Sequence, residues 1–311
     1  MVMLNVSRLR ILRELHLRGT LAQVAEALSY TPSAISQQLS LLEREAGVVL
    51  LERVGRGVRL TDQALTLVAH AEVILAELER AEVDLAQAQP SVHGVLRVSS
   101  FQSVVAEIVP RVLTLLERSH PALQVELTLR EVEGAYRGLL SHAFDLILGE
   151  QFPGRPSPVR PGTDRADLIH DRLLLAVPAQ GPLAVEPSGL AELAELPWAL
   201  EPAGTDSGEW ARAVCRSAGF EPRVRFDGPD TLLHSRFVAN GHALAFVPAL
   251  IAGDDPRLRL YALPGDPERS LFTAVRTGRS GHPAVRAFRD ALAQAAAERG
   301  PQVPSVEVFR A

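Results

Sequence analysis

The sequence predicts an α/β chain of several domains: a small helical head closed by a β-hairpin, one long helix, and a body of two α/β lobes. Three observations predict it. Residues 1–60 hold three amphipathic stretches and then two short β-rich runs around Gly55-Arg56-Gly57. Residues 61–89 contain no Gly or Pro and space their apolar side chains by three and four. From Gly94 onward, strand-like and helix-like runs alternate, as in sheets covered by helices.

Residues 6–18, VSRLRILRELHLR, place Val6, Leu9, Leu12 and Leu15 on one helical face, and Gly19 stops the helix. Thr20 can cap a second helix, LAQVAEAL, with Leu21, Val24, Ala25 and Leu28 inward. After the Ser29-Tyr30 turn, Thr31-Pro32 reads as an N-cap with proline at the first helical position. That third helix runs to about Ala46 and stops at Gly47. Val48–Arg53 and Val58–Leu60 then read as a hairpin with Arg56 at its tip. Three helices and a hairpin form the winged helix-turn-helix pattern.

The long segment shows Val68, Ala71, Leu75, Leu78, Glu82 and Leu85 as a heptad seam interrupted once. A lone helix would expose this stripe, so Val68, Leu75, Leu78 and Leu85 are expected to pair with a second copy; the alternative is packing on the chain's own domains. Pro90-Ser91 and Gly94 mark a hinge. Strands follow at 94–100 and LQVELTLRE, helices at VVAEIVPRVLTLLERSHP and GAYRGLLSHAF, and a buried strand at 145–149. The Pro/Gly-rich residues 151–164 read as a crossing to a second alternating block. The chain returns through SLFTAV and ends in the helix PAVRAFRDALAQAAAER. Two such blocks imply parallel sheets in two lobes that face a cleft, with ligands at strand C-terminal ends.

The net charge of −5 counts against nucleic acid, but its distribution does not. Residues 1–60 carry eight arginines against five acids, and residues 61–90 carry one arginine against six acids. A basic head is followed by an acidic rod. There is no lysine at all, which reads as coding bias. At 47% hydrophobic and 22% charged, the chain reads as globular and soluble, with no run long enough for a membrane span and no signal peptide. The single cysteine, Cys215, excludes an internal disulfide and a cysteine cage for zinc, and points to a reducing cytoplasm. It lies in an amphipathic stretch, as a buried structural residue would. The nine histidines show no metal-hydrolase spacing, and neither a Gly-x-Ser-x-Gly elbow nor a phosphate loop is present. These absences argue against an enzyme and call for no cofactor. A transport-type solute-binding protein would share the body but would not carry a basic winged head.

Residues 4–61 resemble the LysR-type transcriptional regulators. The stretch VAEALSYTPSAISQQLSLLEREAGVVLLERVGRGVRLT follows a long pattern that is specific to them. The body resembles a type 2 periplasmic-binding fold more loosely, in its texture and in VANGHALAFVPAL. Ala64 stands where the family often has Gly. The resemblance implies a winged helix-turn-helix domain over 1–61, with the helix-turn-helix about 21–40 and the wing about 48–60. It further implies a dimerising linker over 62–90 and an effector domain over 91–296. Lobe I is expected at about 91–163 and 268–296, lobe II at about 164–267, and a tail at 297–311. Dimers or tetramers would bind an interrupted palindrome in promoter DNA and respond to a small molecule in the cleft; the alternative is effector-independent regulation. RNA polymerase is a further candidate partner.

The site residues follow from this frame. The second helix of a helix-turn-helix enters the major groove, so its exposed face needs short donors and acceptors. Ser33, Ser36 and Gln37 supply them, and the helix start capped by Thr31 offers free amides near Pro32 and Ser33 to a phosphate. Arg53, Arg56 and Arg59 are the wing cations, with Arg56 placed for the minor groove. Gln38 and Ser40 face either phosphate or solvent. In the body, Ser99, Ser100, Gln102 and Ser103 join a strand to a helix start, and Gly149-Glu150 ends another strand. Thr205, Asp206, Asp230 and Thr231 stand at further helix starts, with plain capping as the alternative role. The effector is expected to be an amino acid or an organic anion; Glu150, Glu201 and Asp206 hint at a cationic group.

Overall fold

The computed structural model describes residues 3–28, 30–55, 57–156, 158–253, 255–299 and 306–309. The head is built from α1 (Val6–Arg18), α2 (Leu21–Leu28) and α3 (Pro32–Ala46), followed by β1 (Leu51–Val54) and β2 (Gly57–Leu60). Its boundaries are set by capping. Asn5 accepts from the Arg8 amide, Thr20 from the Gln23 amide and Thr31 from the Ala34 amide. Gly19 (φ 79°) and Gly47 (φ 70°) end α1 and α3 in the left-handed conformation that glycine adopts at little cost. Leu9, Leu12, Val24, Ile35, Leu39 and Leu42 meet in one core, and β1 pairs antiparallel with β2.

Helix α4 (Asp62–Gln87) is capped by Thr61, whose side chain accepts from the Ala64 amide and donates to the Val49 carbonyl. Its apolar residues do not form the single seam expected. Val68 and Ala71 close the head core together with Ala64, so Val68 is unavailable to a partner. Leu75 is half-buried, whereas Leu78 and Leu85 are exposed. The exposed row is Ile74, Leu78, Ala81 and Leu85, flanked by Val73. The cause is tertiary. The head covers the first half of α4, and lobe I covers a different face of the second half through Glu79 and Val83.

The body opens with β3 (Gly94–Ser100), α5 (Gln102–Glu107), α6 (Val109–Ser119), β4 (Leu123–Leu129), α7 (Val132–Leu140) and β5 (Leu146–Gln151). The one helix expected after β3 is two, because Pro110 has no amide to continue α5 and sits instead in the first turn of α6. Next come β6 (Thr163–Pro178), a short 3-10 turn at Leu190–Leu193, β7 (Pro197–Leu200), α8 (Asp206–Ser217), β8 (Arg223–Asp227) and α9 (Thr231–Ala239). The chain continues through β9 (Ala245–Pro248), α10 (Ala249–Ala252), β10 (Leu258–Ala262), β11 (Glu268–Arg276), α11 (Pro283–Arg299) and β12 (Val306–Glu307).

The strands run in the order β12-β10-β6-β11-β5-β3-β4, with β9 also on β6 and β7 beside β8. The sheet is mixed rather than parallel. β3, β4 and β5 are parallel, but β11 runs antiparallel to both β5 and β6. The reversal comes from the two strands that pass between lobes in opposite directions. β6 pairs with β11 over Thr163–Arg172 and with β9 and β10 over Leu173–Pro178. The lobe boundary therefore falls inside β6, not at residue 163/164 after the Pro/Gly-rich loop. The expected tail also departs from its range: α11 reaches Arg299, and β12 adds an edge strand to β10. Lobe I packs α6 and α11 on its sheet around Val98, Val112, Phe288 and Leu292; lobe II is centred on Trp198, Trp210 and Phe246.

Head, linker and lobe I meet at a buried ionic junction. Glu79 of α4 pairs with Arg276, and with Arg279 at 2.8 Å. Asp145 stands 3.6 Å from Arg276, and Arg10 of α1 donates to the Ser141 carbonyl of lobe I. His142 lies against this cluster; burial, followed by the positive charge of Arg276, pushes its imidazole down to about 3, so it stays neutral.

Candidate nucleic-acid interface and ligand cleft

On α3, Ile35, Leu39 and Leu42 are fully buried, and Thr31, Pro32, Ser33, Ser36 and Gln37 are exposed on the opposite side. The Thr31 hydroxyl also contacts that of Ser33 at 3.0 Å, which orders the start of the helix. Gln38 accepts from Arg8 Nε at 3.0 Å and so belongs to the α1–α3 contact; Ser40 is exposed.

The charge of the head is less available than its composition implies. Arg8 pairs with Glu45, while Arg13 and Arg18 bond to the fully buried Glu14. Arg10 is turned to lobe I. Cations facing solvent lie on the wing and at the end of α3: Arg53 and Arg44 are exposed, and Arg59 is held at 2.8 Å by Glu52 in a solvated pair. Such a pair contributes little and opens readily to a phosphate. Arg56 lies outside the described residues.

Between the lobes a cleft of about 570 Å³ opens at the C-terminal ends of β3, β4, β5 and β7. Four of the ten expected ligand residues line it: Gln102, Glu150, Thr205 and Asp206. Thr205 caps α8, accepting from the Gly208 amide at 3.0 Å, and Asp206 holds Arg155 at 2.7 Å. Gln102 spans the lobes, donating to the Pro229 carbonyl at 3.0 Å.

The other six occupy different places. Ser99 and Ser100 are fully buried in β3 with no hydroxyl partner among the described residues. Ser103 is buried and receives Arg269 Nη2 at 2.9 Å. Gly149 lies under the Phe272 ring, where a Cβ would come within 2.4 Å, so packing accounts for it. Asp230 caps α9 through the Leu232 amide at 2.9 Å, and Thr231 begins that helix. Sequence reasoning did not single out Arg269, whose guanidinium joins Glu150 at 2.6 Å and Asp171 at 2.7 Å beneath the cleft. Its one signal was a lone cation beside the apolar run of β11. Arg130, Glu131 and Phe152 also line the cleft. Cys215 is buried in lobe II, where burial pushes its thiol up to about 12. Among the described residues, no helix is long and apolar enough to cross a membrane.

Residues 6–65 match the family model of the bacterial regulatory helix-turn-helix protein, lysR family, and residues 89–297 match the LysR substrate binding domain. The HTH-type transcriptional regulator PtxR of Pseudomonas aeruginosa is 28% identical over 296 residues, covering 93% of this chain and 92% of PtxR. Other relatives, described as probable RuBisCO transcriptional regulators, are spanned over about 58% of their length. A full-length OxyR variant from Pseudomonas aeruginosa shares the fold with a TM-score of 0.62 and 18% identity, over 93% of this chain and 95% of that one. Full-length CbnR complexed with its target DNA shares it with a TM-score of 0.52 and 24% identity, over 94% and 100%. A winged head and a two-lobed body, each matched by a model of the same family and joined by one long helix, make this chain a member of the LysR family of DNA-binding transcriptional regulators.

Proposed function

We propose that the protein controls transcription in the cytoplasm by binding a two-fold symmetric promoter site as a dimer or tetramer, with a small effector in the interlobe cleft setting the DNA-bound geometry. Residues 1–61 bind DNA, 62–90 pair the protomers and 91–296 hold the effector. Ser33, Ser36 and Gln37 meet base edges, the free amides near Pro32 and Ser33, where Thr31 caps the helix, meet a phosphate, Arg53 and Arg59 meet the backbone, and Arg56 meets the minor groove. The single observation that carries this reading is the face of α3: capped, exposed and free of carboxylates over its first three turns, in a helix whose other side is fully buried. A surface of that kind tolerates the phosphate-lined groove and carries base-reading groups. Pairing is supported by the exposed row Ile74, Leu78, Ala81 and Leu85 on α4. Two heads joined there present two recognition helices and multiply a modest number of phosphate contacts. Retardation of DNA upstream of the protein's own gene tests the reading. The wild type is expected to retard it in excess competitor DNA, and Gln37→Ala and Arg53→Ala are expected to weaken the complex. No retardation, with both variants indistinguishable from wild type, contradicts it.

A further inference from the structure

The cleft carries charge that its scaffold does not neutralise. Glu150, near the end of β5, stands on the lobe I side, and Glu201, just past β7, stands on the lobe II side. Beneath them one buried guanidinium, Arg269, serves two carboxylates, Glu150 at 2.6 Å and Asp171 at 2.7 Å. Glu201 makes no ion pair among the described residues. The groups that act on it are Glu150, Glu131, Arg269 and the Thr205 hydroxyl; burial, followed by the charge of Glu150, pushes its carboxyl up to about 7. The exposed rim is balanced, since Arg130 and Arg137 stand beside Glu131 and Glu133. The excess is therefore negative and lies deep.

A buried hydroxyl without a partner stands one residue from the same lining. Ser100 ends β3 immediately before Phe101 and Gln102, which line the cleft; it is fully buried, and its hydroxyl has no partner among the described residues. A buried hydroxyl left without a hydrogen bond is costly unless something supplies one. The volume of about 570 Å³ suits a small molecule.

We propose that the effector carries a small organic cation, a primary amine or a guanidinium, seated between Glu150 of lobe I and Glu201 of lobe II. This rests on the reading of the cleft as the effector site. Without the cation, carboxylates on facing walls repel and oppose closure; with it, each lobe is attracted to the same charge. The ligand thus favours the closed state by its differential interaction with it. The Gln102 bond to the Pro229 carbonyl shows that the walls approach closely enough to be bridged.

Thermal unfolding of the full-length protein at pH 8 tests the inference with methylammonium, putrescine, agmatine and L-arginine as cationic probes and succinate and benzoate as anionic ones. At least one cationic probe is expected to raise Tm by several degrees, and the anionic probes are expected to leave it unchanged. The response should weaken at least tenfold in half-saturating concentration in Glu201→Gln, and should fall at pH 6, where Glu201 is protonated. Glu201→Gln is expected to raise the probe-free Tm at pH 8, which separates a lost site from a lost fold. Stabilisation by an anionic probe alone, no response to any cationic probe, or a cationic response that Glu201→Gln retains overturns the inference. DNA retardation by the same samples distinguishes the two failures: DNA binding without a cationic response overturns this inference alone, and absence of DNA binding overturns the reading on which it rests.

Discussion

Gln37, Ser36 and Arg53 are exposed and differ in what they can read. A glutamine amide can bond an adenine edge in a bidentate way, whereas an arginine on the wing meets phosphate whatever the sequence. Gln37→Ala should cost about 1–3 kcal/mol at a matched site and relax preference at one base pair, read by competition among variant DNAs. Arg53→Ala should weaken binding evenly across sequences and reduce the salt slope by about one unit, read by titration at several salt concentrations. At Glu201 the sign follows from protonation. Its folded carboxyl titrates at about 7, above the ordinary 4.5, so it contributes stability below pH 4.5 that is lost as pH rises through 7. Glu201→Gln should remove that loss, worth up to about 3 kcal/mol at pH 8, in denaturant unfolding at pH 5 and pH 8. The exposed face of α3 was legible in sequence because helical spacing alone puts Ser36 and Gln37 opposite Ile35 and Leu39. Arg269 was not: its role depends on Glu150 and Asp171, which lie 119 and 98 residues away along the chain.

At the scale of the element, α4 shows what periodicity can and cannot settle. Its span was legible, because a stretch without Gly or Pro capped by Thr61 has few alternatives. Its exposed face was not, because head and lobe I cover different sides of it, and steps of three and four drift around a straight helix. Gln38 likewise takes its role from a tertiary neighbour, Arg8, whereas the break after β3 is local, at Pro110. Two substitutions separate the faces of α4. Leu85→Glu lies on the exposed row and should shift the assembly toward monomer with little change in unfolding, read by analytical ultracentrifugation. Val68→Ala lies in the head core and should cost about 1–3 kcal/mol in unfolding while leaving association intact.

At the scale of the molecule, the junction around Glu79 ties the linker to lobe I. Glu79 is buried with Arg276 and is also bonded to Arg279, and removing one partner leaves guanidinium charge in a poorly solvated place. Glu79→Ala should destabilise by about 3–5 kcal/mol, measured by denaturant unfolding. Gly278 reports on the same contact: its φ is +92°, and a Cβ there would stand 2.5 Å from the Ala76 carbonyl of α4, so Gly278→Ala should push the linker off lobe I. The alternation of strands and helices made two lobes legible, but the crossing strands were not, because a 16-residue strand shared by both lobes looks like two separate strands in sequence. The most direct test of DNA recognition by paired α3 helices is a footprint of the full-length protein on the DNA upstream of its gene. Two protected half-sites related by a dyad and spaced by whole helical turns, both lost in Gln37→Ala, are the predicted result. Uniform protection without sequence preference, or a footprint unchanged in that variant, would contradict it.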